Sequence, residues 1–290
     1  VVGGLAALKR HGVDWNVLTT IHAANGGHGR RVYTYLRDEL DARYIQFIPI
    51  IERATAANLS AIDAGWGERA GRRPLYTQQG TLVTHRSVQP GQYGQFMVEV
   101  FEEWVRHDVG TVYVQLFDTT LANHLGGGGM CVHARTCGDQ LALEHNGDVY
   151  SCDHFVEPNH LLGNITQRPL LELVRSPQQR AFGQDKLDGL PQYCRSCDVR
   201  YACNGGCPKD RFATAPDGEP GLHYLCPGYQ RFFRHVAAPM RQMAQLVRQG
   251  RAADEVMAHY AALDRVRGRN EPCPCGRSAK WKRCHGAPAH

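Results

Sequence analysis

The first half of the chain alternates between apolar residues at helical spacing and short runs rich in β-branched and aromatic residues. Leu5 and Leu8 show the helical period, and Gly12 supplies a helix stop after them. Strands that alternate with helices predict a parallel sheet with crossover helices. The predicted strands are residues 13–21, 44–50 and 111–117, and the predicted helices are residues 1–11, 30–41 and 93–107 and a short helix near Leu121.

The second half predicts a hairpin followed by helices. Residues 140–151 alternate about Asn146-Gly147, a dipeptide that favours a type I′ turn and therefore a two-stranded hairpin. The second strand leads into Cys152 and Asp153, whose side chains are expected to point to opposite faces because neighbours in a strand alternate. The predicted helices are residues 168–182, interrupted at Pro177, residues 229–248, kinked at Pro239, and residues 252–266.

Two stretches lack a clear period. Residues 54–92 are rich in Gly, Arg, Gln and Thr and predict a surface excursion. The four consecutive glycines at 126–129 cannot fix a backbone conformation by themselves, so they predict a hinge and spacer between domains.

The composition indicates a globular protein without a nucleic-acid surface. The 290 residues are 42% hydrophobic and 21% charged, enough apolar material for one large or two medium cores. The 33 basic residues are interspersed with 28 acidic ones, so no basic stripe for nucleic acid is expected. We also expect a cytoplasmic protein outside the membrane, because no apolar run has transmembrane length and no charged-then-apolar leader is visible.

Eight cysteines are concentrated between residues 131 and 226, four of them at C-x2-C-x5-C-x3-C spacing. Thiolates this close together repel one another unless a cation holds them, so the segment predicts metal binding. Uneven gaps between the cysteines and the Cys207-Pro208 dipeptide favour ferredoxin-type [4Fe-4S] ligation. Zinc stays open as the alternative metal. Disulfides fit poorly because no secretory signal is visible. The eight are Cys131, Cys137, Cys152, Cys194, Cys197, Cys203, Cys207 and Cys226.

Three sequence words give the chain a family resemblance. They are CVHARTCGDQLALEHNGDVYSCDHFVEPNHLLGNI at 131–165, CNGGCPKDR at 203–211 and HYLCPGYQRFF at 223–233. Over about residues 1–248 the chain resembles radical SAM enzymes with a SPASM domain, and among these the anaerobic sulfatase-maturating enzymes.

The resemblance implies an α/β fold and a division into four parts. The C-terminal portion of a partial (β/α) radical SAM barrel would occupy residues 1–125, a small α+β SPASM iron–sulfur domain residues 126–248, a helical linker residues 249–268 and a short zinc-binding tail residues 269–290.

It also implies two auxiliary [4Fe-4S] clusters whose ligands interleave along the chain. Cys131, Cys137, Cys152 and Cys207 would hold the first cluster, and Cys194, Cys197, Cys203 and Cys226 the second.

The chemistry implied by the resemblance is oxidation of a Cys or Ser in a sulfatase polypeptide to Cα-formylglycine. A reducing protein such as ferredoxin or flavodoxin would be a further partner. Asp153 would accept the substrate proton, with a surface carboxylate as the alternative interpretation. Asn16, Leu18 and Gln46 would lie near S-adenosyl-L-methionine at the carboxyl ends of barrel strands, with barrel packing as the alternative.

One departure from the family concerns the catalytic cluster. None of the eleven cysteines shows the C-x3-C-x2-C spacing of a radical SAM loop, and the chain begins with Val1 inside a helix-like pattern. We therefore expect an incomplete fragment, inactive alone, of an enzyme that carries a third [4Fe-4S] cluster and S-adenosyl-L-methionine at full length. Two other functions stay open: a SPASM maturase that crosslinks or epimerises a ribosomal peptide, and a non-enzymatic iron–sulfur electron-transfer or zinc-docking protein.

Beyond Gly268 the composition changes to the basic word RNEPCPCGRSAKWKRCHG. Three thiolates and an imidazole are a common tetrahedral zinc set, and so short a tail has no core without a metal. The word resembles the SEC-C motif of the SecA translocation ATPase, which implies docking to a partner; a zinc bead that only caps the chain end is the alternative. The expected Zn²⁺ ligands are Cys273, Cys275, Cys284 and His285.

Deletion of residues 269–290 should remove one tightly bound zinc and leave the iron content unchanged, because about fifty residues separate this ligand shell from the other cysteines. Metal analysis of the full and the truncated chain checks this. Loss of iron on truncation would show that the tail belongs to the iron-binding body.

Overall fold

The computed structural model describes residues 1–64, 79–265, 270–273 and 279–283. Short strands alternate with helices through most of them. The strands are β1 (Val17–Ile21), β2 (Tyr44–Pro49), β3 (Arg53–Ala54), β4 (Leu82–Val83), β5 (Tyr113–Val114), β6 (Ala142–Leu143), β7 (Asp148–Tyr150), β8 (Leu161–Asn164), β9 (Ala213–Thr214) and β10 (Pro220–Leu222). The helices are α1 (Val2–Arg10), α2 (Gly29–Thr34), α3 (Leu59–Asp63), α4 (Pro90–His107), α5 (Gln115–His124), α6 (Leu170–Val174), α7 (Pro177–Asp188), α8 (Gln192–Arg195), α9 (Arg200–Cys203), α10 (Cys226–Arg248) and α11 (Val256–Asp264).

A parallel sheet in the order β1-β2-β5 lies at the centre of the first half of the chain. Parallel neighbours need crossover connections. Helix α2, which continues as a π-helical turn at Tyr35–Glu39, crosses from β1 to β2, and α4 lies between β2 and β5. The parallel pairing confirms the predicted alternation and the α/β class of the fold.

The strands are shorter than the sequence predicts. β1 begins at Val17, and β5 covers only two residues of the predicted 111–117. From Gln115 the chain is helical, and this lets the Phe117 ring pack 5.7 Å from that of Phe232. A short apolar run does not distinguish a strand from a buried helix, so the assignment of Phe117 to a strand is wrong.

Helices α4 and α10 pack against each other and join the two halves of the chain in one core. They approach most closely at Gly94 and Gly228. A Cβ atom on Gly228 would lie 2.3 Å from the carbonyl oxygen of Pro90, so a larger residue does not fit. Since Cys226 begins α10, this crossing also fixes the position of that cysteine. The apolar stripe predicted on α4 is buried in this core: Phe96, Val100, Phe101, Trp104 and Val105.

Helix α11, which follows α10 in the chain, packs against α4. The Arg106 guanidinium pairs with Asp264 at 2.8 Å and lies over the Tyr260 ring, 4.9 Å from its centroid. The segment expected to be a helical linker therefore contacts the core helix in its described part.

Strands β6, β7 and β8 form an antiparallel sheet, one strand more than the predicted hairpin. The amide of Gly147 donates to the Glu144 carbonyl at 2.9 Å, and Gly147 has φ +89° while Asn146 does not have positive φ. A type I′ turn needs positive φ at both central residues. The turn is instead a type I turn followed by a left-handed glycine, and the type I′ assignment is wrong.

The interruption predicted at Pro177 is confirmed. Pro177 occupies the first turn of α7, where its missing N–H costs no helical hydrogen bond. Ser176 caps the helix, since its hydroxyl accepts from the Gln179 amide at 3.1 Å. Pro239 lies inside the continuous helix α10.

The stretches without periodicity are largely irregular. Within 54–92 the described residues include α3 and β4, and residues 65–78 lie outside the described part. The glycines at 126–129 lie in a loop that starts with a left-handed Gly126, φ +83°. In the portion of the chain that the structure describes, no helix has both the length and the apolar character needed to cross a bilayer.

Gly228→Ala should destabilise the fold by about 1–3 kcal/mol, because its Cβ atom would clash with the Pro90 carbonyl at the helix crossing. Gly91→Ala is the matched control on α4. No atom lies within 4 Å of its added Cβ, so the change should be neutral or stabilising by up to about 1 kcal/mol. Urea unfolding of both variants checks this, and equal stabilities would refute the tight crossing.

Candidate functional site

Cys194, Cys197, Cys203 and Cys226 line one narrow cavity, which we call the second cysteine cavity. The four come from three helices and one connection. Cys194 lies in α8, Cys203 ends α9, Cys226 begins α10, and Cys197 lies between α8 and α9.

Cys131, Cys137, Cys152 and Cys207 line a separate cavity of about 160 Å³, the first cysteine cavity. Cys137 is held against helix α7, since its amide donates to the Gly183 carbonyl at 3.2 Å. A Cβ atom on Gly183 would lie 2.1 Å from the Cys137 carbonyl oxygen, so glycine is needed for this approach. The eight cysteines thus line two cavities in the same two sets that the family resemblance implies, and metal binding by them stays a prediction.

The five residues from Cys203 to Cys207 connect the two cavities. The backbone between these cysteines is left-handed at three consecutive residues, with φ +45° at Asn204, +74° at Gly205 and +64° at Gly206. Glycine adopts this conformation without a steric penalty, and asparagine tolerates it better than most residues. This tight reversal directs Cys203 into the second cavity and Cys207 into the first.

Arg211 holds this reversal in place. Its guanidinium donates to the carbonyl oxygens of Asn204 at 3.0 Å, Gly205 at 2.9 Å, Gly206 at 3.1 Å and Lys186 at 2.6 Å. Donors in a rigid planar fork suit several acceptors at once, so one side chain fixes the whole segment.

The burial of the thiols bears on what they can hold. Burial raises the pKa of Cys203, Cys226 and Cys152 to about 12 and that of Cys207 to about 11. These thiols therefore resist ionisation unless a cation stabilises the thiolate. Four thiols line each cavity, which matches the Cys₄ donor set of a [4Fe-4S] cluster, and Cys₄ is also a donor set for zinc.

A larger cavity of about 530 Å³ lies between β2 and the first cysteine cavity. Its walls combine the apolar end of β2 with polar groups from the second half of the chain. Cys207 and His154 line both this cavity and the first cysteine cavity, so the two spaces share a wall. Its polar lining includes Gln46, Glu52, His133, Asp153, His154, Lys209 and Asp210.

Asp153 lies in the wall of the large cavity with an exposed carboxylate. The thiol of Cys152 lies 3.1 Å from its Oδ1 atom. The expectation that these two side chains point to opposite faces is wrong, because β7 ends at Tyr150 and both residues lie in the turn beyond it. The two residues still line different cavities: Cys152 lines the first cysteine cavity, and Asp153 lines the large one.

The three residues expected near the carboxyl ends of strands occupy other positions. Leu18 is the second residue of β1 and pairs in register with Gln46, the third residue of β2. Asn16 is exposed and precedes β1. The carboxyl-end placement is therefore wrong. Gln46 lines the large cavity, whereas Leu18 is 60% exposed on the neighbouring strand.

Lys186 and Arg211 are two functional candidates that the sequence reading missed. Lys186 is buried in the wall of the first cysteine cavity, although it lies in a helix of low apolar content. The only available signal was the position of Arg211 four residues after Cys207 in the CNGGCPKDR word.

The C-terminal tail is described only in part. Cys273 is buried, and its amide donates to the Ala279 carbonyl at 2.9 Å, while the Trp281 amide donates to the Glu271 carbonyl at 2.7 Å. These bonds fold the two described pieces against each other. The other predicted zinc ligands, Cys275, Cys284 and His285, lie outside the described residues.

Two family models match the chain. The model of the SPASM iron-sulfur cluster-binding domain matches residues 131–198, and that of the SEC-C motif matches residues 269–287.

Curated relatives and solved structures agree with these matches. A serine-type anaerobic sulfatase-maturating enzyme of Bacteroides thetaiotaomicron is 41% identical over 89% of this chain and 60% of its own length. A cysteine-type enzyme of Clostridium perfringens is 26% identical over 79% of this chain and 55% of its own length. The structure of native anSMEcpe with bound AdoMet superposes with a TM-score of 0.67 at 25% identity, over 84% of this chain and 60% of that one. The chain thus spans a little over half the length of the relatives it matches.

Anaerobic reconstitution should load about eight irons and eight sulfides per chain if each cysteine cavity holds one [4Fe-4S] cluster. Cys194→Ala and Cys131→Ala should each lower the iron content to about half, because each removes a ligand from one cavity only. Cys273→Ala, outside both cavities, should keep all the iron. Uptake of zinc without iron in the two cavities would contradict the assignment.

Proposed function

We propose that this chain, which is similar to the anaerobic sulfatase-maturating enzymes and matches the models of a SPASM domain and a SEC-C motif, forms the substrate-binding and electron-accepting part of a radical SAM sulfatase maturase. The proposed reaction oxidises a Cys or Ser side chain of a sulfatase to Cα-formylglycine. The observation that supports it best is the shared wall: a cavity with room for a peptide side chain adjoins a pocket of four converging thiols.

The proposed ligands of two auxiliary [4Fe-4S] clusters are the cysteines of the two cavities. Such clusters, when bound, supply one-electron acceptors that can carry charge away from an oxidised substrate. The protein would hold the two clusters apart in separate cavities, because Cys203 and Cys207 enter different cavities from one short segment.

Asp153 is the proposed base. Its carboxylate faces the large cavity, next to the residue that lines the first cysteine cavity. A carboxylate at this position can take the thiol or hydroxyl proton of the substrate at Oδ1 or Oδ2. The substrate would then lose its proton and its electron on the same side of the cavity, so no net charge would build up on the substrate.

The remaining proposed contacts come from the sheet and the tail. Gln46 would bind S-adenosyl-L-methionine or substrate from the wall of the large cavity, while Leu18 pairs with it on β1 and Asn16 precedes that strand. A ferredoxin- or flavodoxin-type protein would supply reducing electrons, and the zinc-bound tail would dock a partner. Oxygen-sensitive thiolate clusters favour the cytoplasm as the site of action.

In a full-length enzyme that contains this chain, Asp153→Asn should leave cleavage of S-adenosyl-L-methionine intact and lower formylglycine production by about 100-fold or more. Asparagine keeps the size of the side chain and its hydrogen bonding but cannot accept the proton. The readouts are 5′-deoxyadenosine by chromatography and the modified peptide by mass spectrometry.

Asp185→Asn is the matched control for this substitution. Asp185 is exposed on α7 and lies away from the lining of the large cavity, so both products should form at the original rates. Equal loss of both products in Asp153→Asn would assign Asp153 a structural role beside Cys152 instead.

A further inference from the structure

Lys186 is a buried cation in the wall of the first cysteine cavity. Its residue surface is only 1% exposed. The ammonium donates hydrogen bonds to the carbonyl oxygens of Cys131 and Val132, the second at 3.0 Å. A lysine is almost never fully buried unless another group compensates its charge.

No carboxylate provides this compensation among the residues that the structure describes. Both hydrogen-bond partners of the ammonium are neutral carbonyl groups. Burial lowers the pKa of Lys186, and the nearby sulfurs of Cys137, Cys207 and Cys131 oppose that effect. The negative charges that act most strongly on Lys186 are therefore those that thiolates of the first cavity would carry.

Arg211 differs from Lys186 in the sulfurs it faces. Burial lowers the pKa of Arg211, and the opposing sulfurs include Cys194 and Cys203 of the second cavity as well as Cys207 of the first. Its charge acts on both cavities. The sulfurs that act most strongly on Lys186 all belong to the first cavity. The second cavity has Arg200 in its wall, but Arg200 is only half-buried, whereas Lys186 is fully buried.

We propose that the positive charge of Lys186 tunes the first [4Fe-4S] cluster and gives it a higher reduction potential than the second. The inference rests on the proposed function, because it presupposes a cluster in each cavity. Reduction adds one negative charge to a cluster that four thiolates already make negative, and a fixed cation in a cavity of low dielectric stabilises the added charge.

The substrate radical would form when the 5′-deoxyadenosyl radical of the full-length enzyme takes a hydrogen atom from the substrate. The radical would then give one electron to the first cluster, and the substrate proton would go to Asp153. No proton has to enter the first cavity, because Lys186 already supplies positive charge there. The first cluster is thereby the favoured acceptor at the wall it shares with the large cavity.

Lys186→Gln tests this by removing the charge while keeping a donor for one of the two carbonyl oxygens. Anaerobically reconstituted full chains are titrated with dithionite, and the reduced clusters are followed by electron paramagnetic resonance. The first cluster of Lys186→Gln should be at least tenfold harder to reduce, which lowers its midpoint potential by about 59 mV or more for one electron. Lys186→Arg keeps the charge and should move the midpoint by less than half as much.

Lys9→Gln is the matched control, since Lys9 lies on the exposed surface of α1 and should leave the midpoint unchanged. An unchanged midpoint in an iron-replete Lys186→Gln protein would overturn the inference and leave the proposed function standing. A wild-type chain that binds no iron would instead overturn the proposed function.

A second measurement decides the case if Lys186→Gln fails to bind iron. Cys194→Ala retains only the first cluster and Cys131→Ala only the second, so their midpoints can be compared directly. The first cluster must be reduced at the higher potential. The reverse order would overturn the role of Lys186.

Discussion

The site depends on one constraint: two cysteines separated by three residues must enter different cavities. Only a sharp backbone reversal achieves this over so short a distance. Left-handed backbone costs roughly 1–2 kcal/mol for each ordinary residue, and glycine avoids that cost. The available space also requires glycine. A Cβ atom on Gly205 would lie 2.3 Å from the Leu190 side chain, and one on Gly206 would lie 2.4 Å from the His223 ring.

The rest of the architecture brings other elements to this reversal. Arg211 satisfies the carbonyl groups that the reversal leaves without strand or helix partners, which matters because buried carbonyls without hydrogen bonds destabilise a fold. The contact between α4 and α10 places Cys226 opposite the same segment, and α7 places Cys137 through Gly183. Two close backbone contacts and the Arg211 side chain thus position cysteines that are far apart in sequence.

The sequence was informative where local spacing carries the signal. The parallel alternation, the buried stripe on α4 and the break at Pro177 follow from periodicity and proline chemistry, which act over a few residues. It was less informative where distant packing decides, as at Phe117, which joins a helix because the ring of Phe232 lies beside it. The Asn146-Gly147 turn and the Cys152-Asp153 pair failed for a related reason. The turn does not have the positive φ at Asn146 that type I′ requires, and β7 ends at Tyr150, before Cys152 and Asp153.

The candidate site divides in the same way. Cysteine spacing indicated metal binding, and the family resemblance, not the spacing, anticipated which cysteines line each cavity, because Cys207 leaves the closely spaced group for the first cavity. No local pattern revealed Lys186, because a lysine in a polar helix ordinarily faces solvent. Its burial becomes visible only once α7 is packed against the 131–132 segment.

The shared wall at Cys207 and His154 has a further consequence for the fate of the protein between turnovers. Val132 also lines both spaces, so three residues are shared between the large cavity and the first cysteine cavity. Under the proposed function, a peptide seated in the large cavity would cover the side of the first cysteine cavity on which these residues lie. With the large cavity vacant, water and dissolved oxidants would reach that side by the same route, so substrate binding would also protect the cysteines from oxidation.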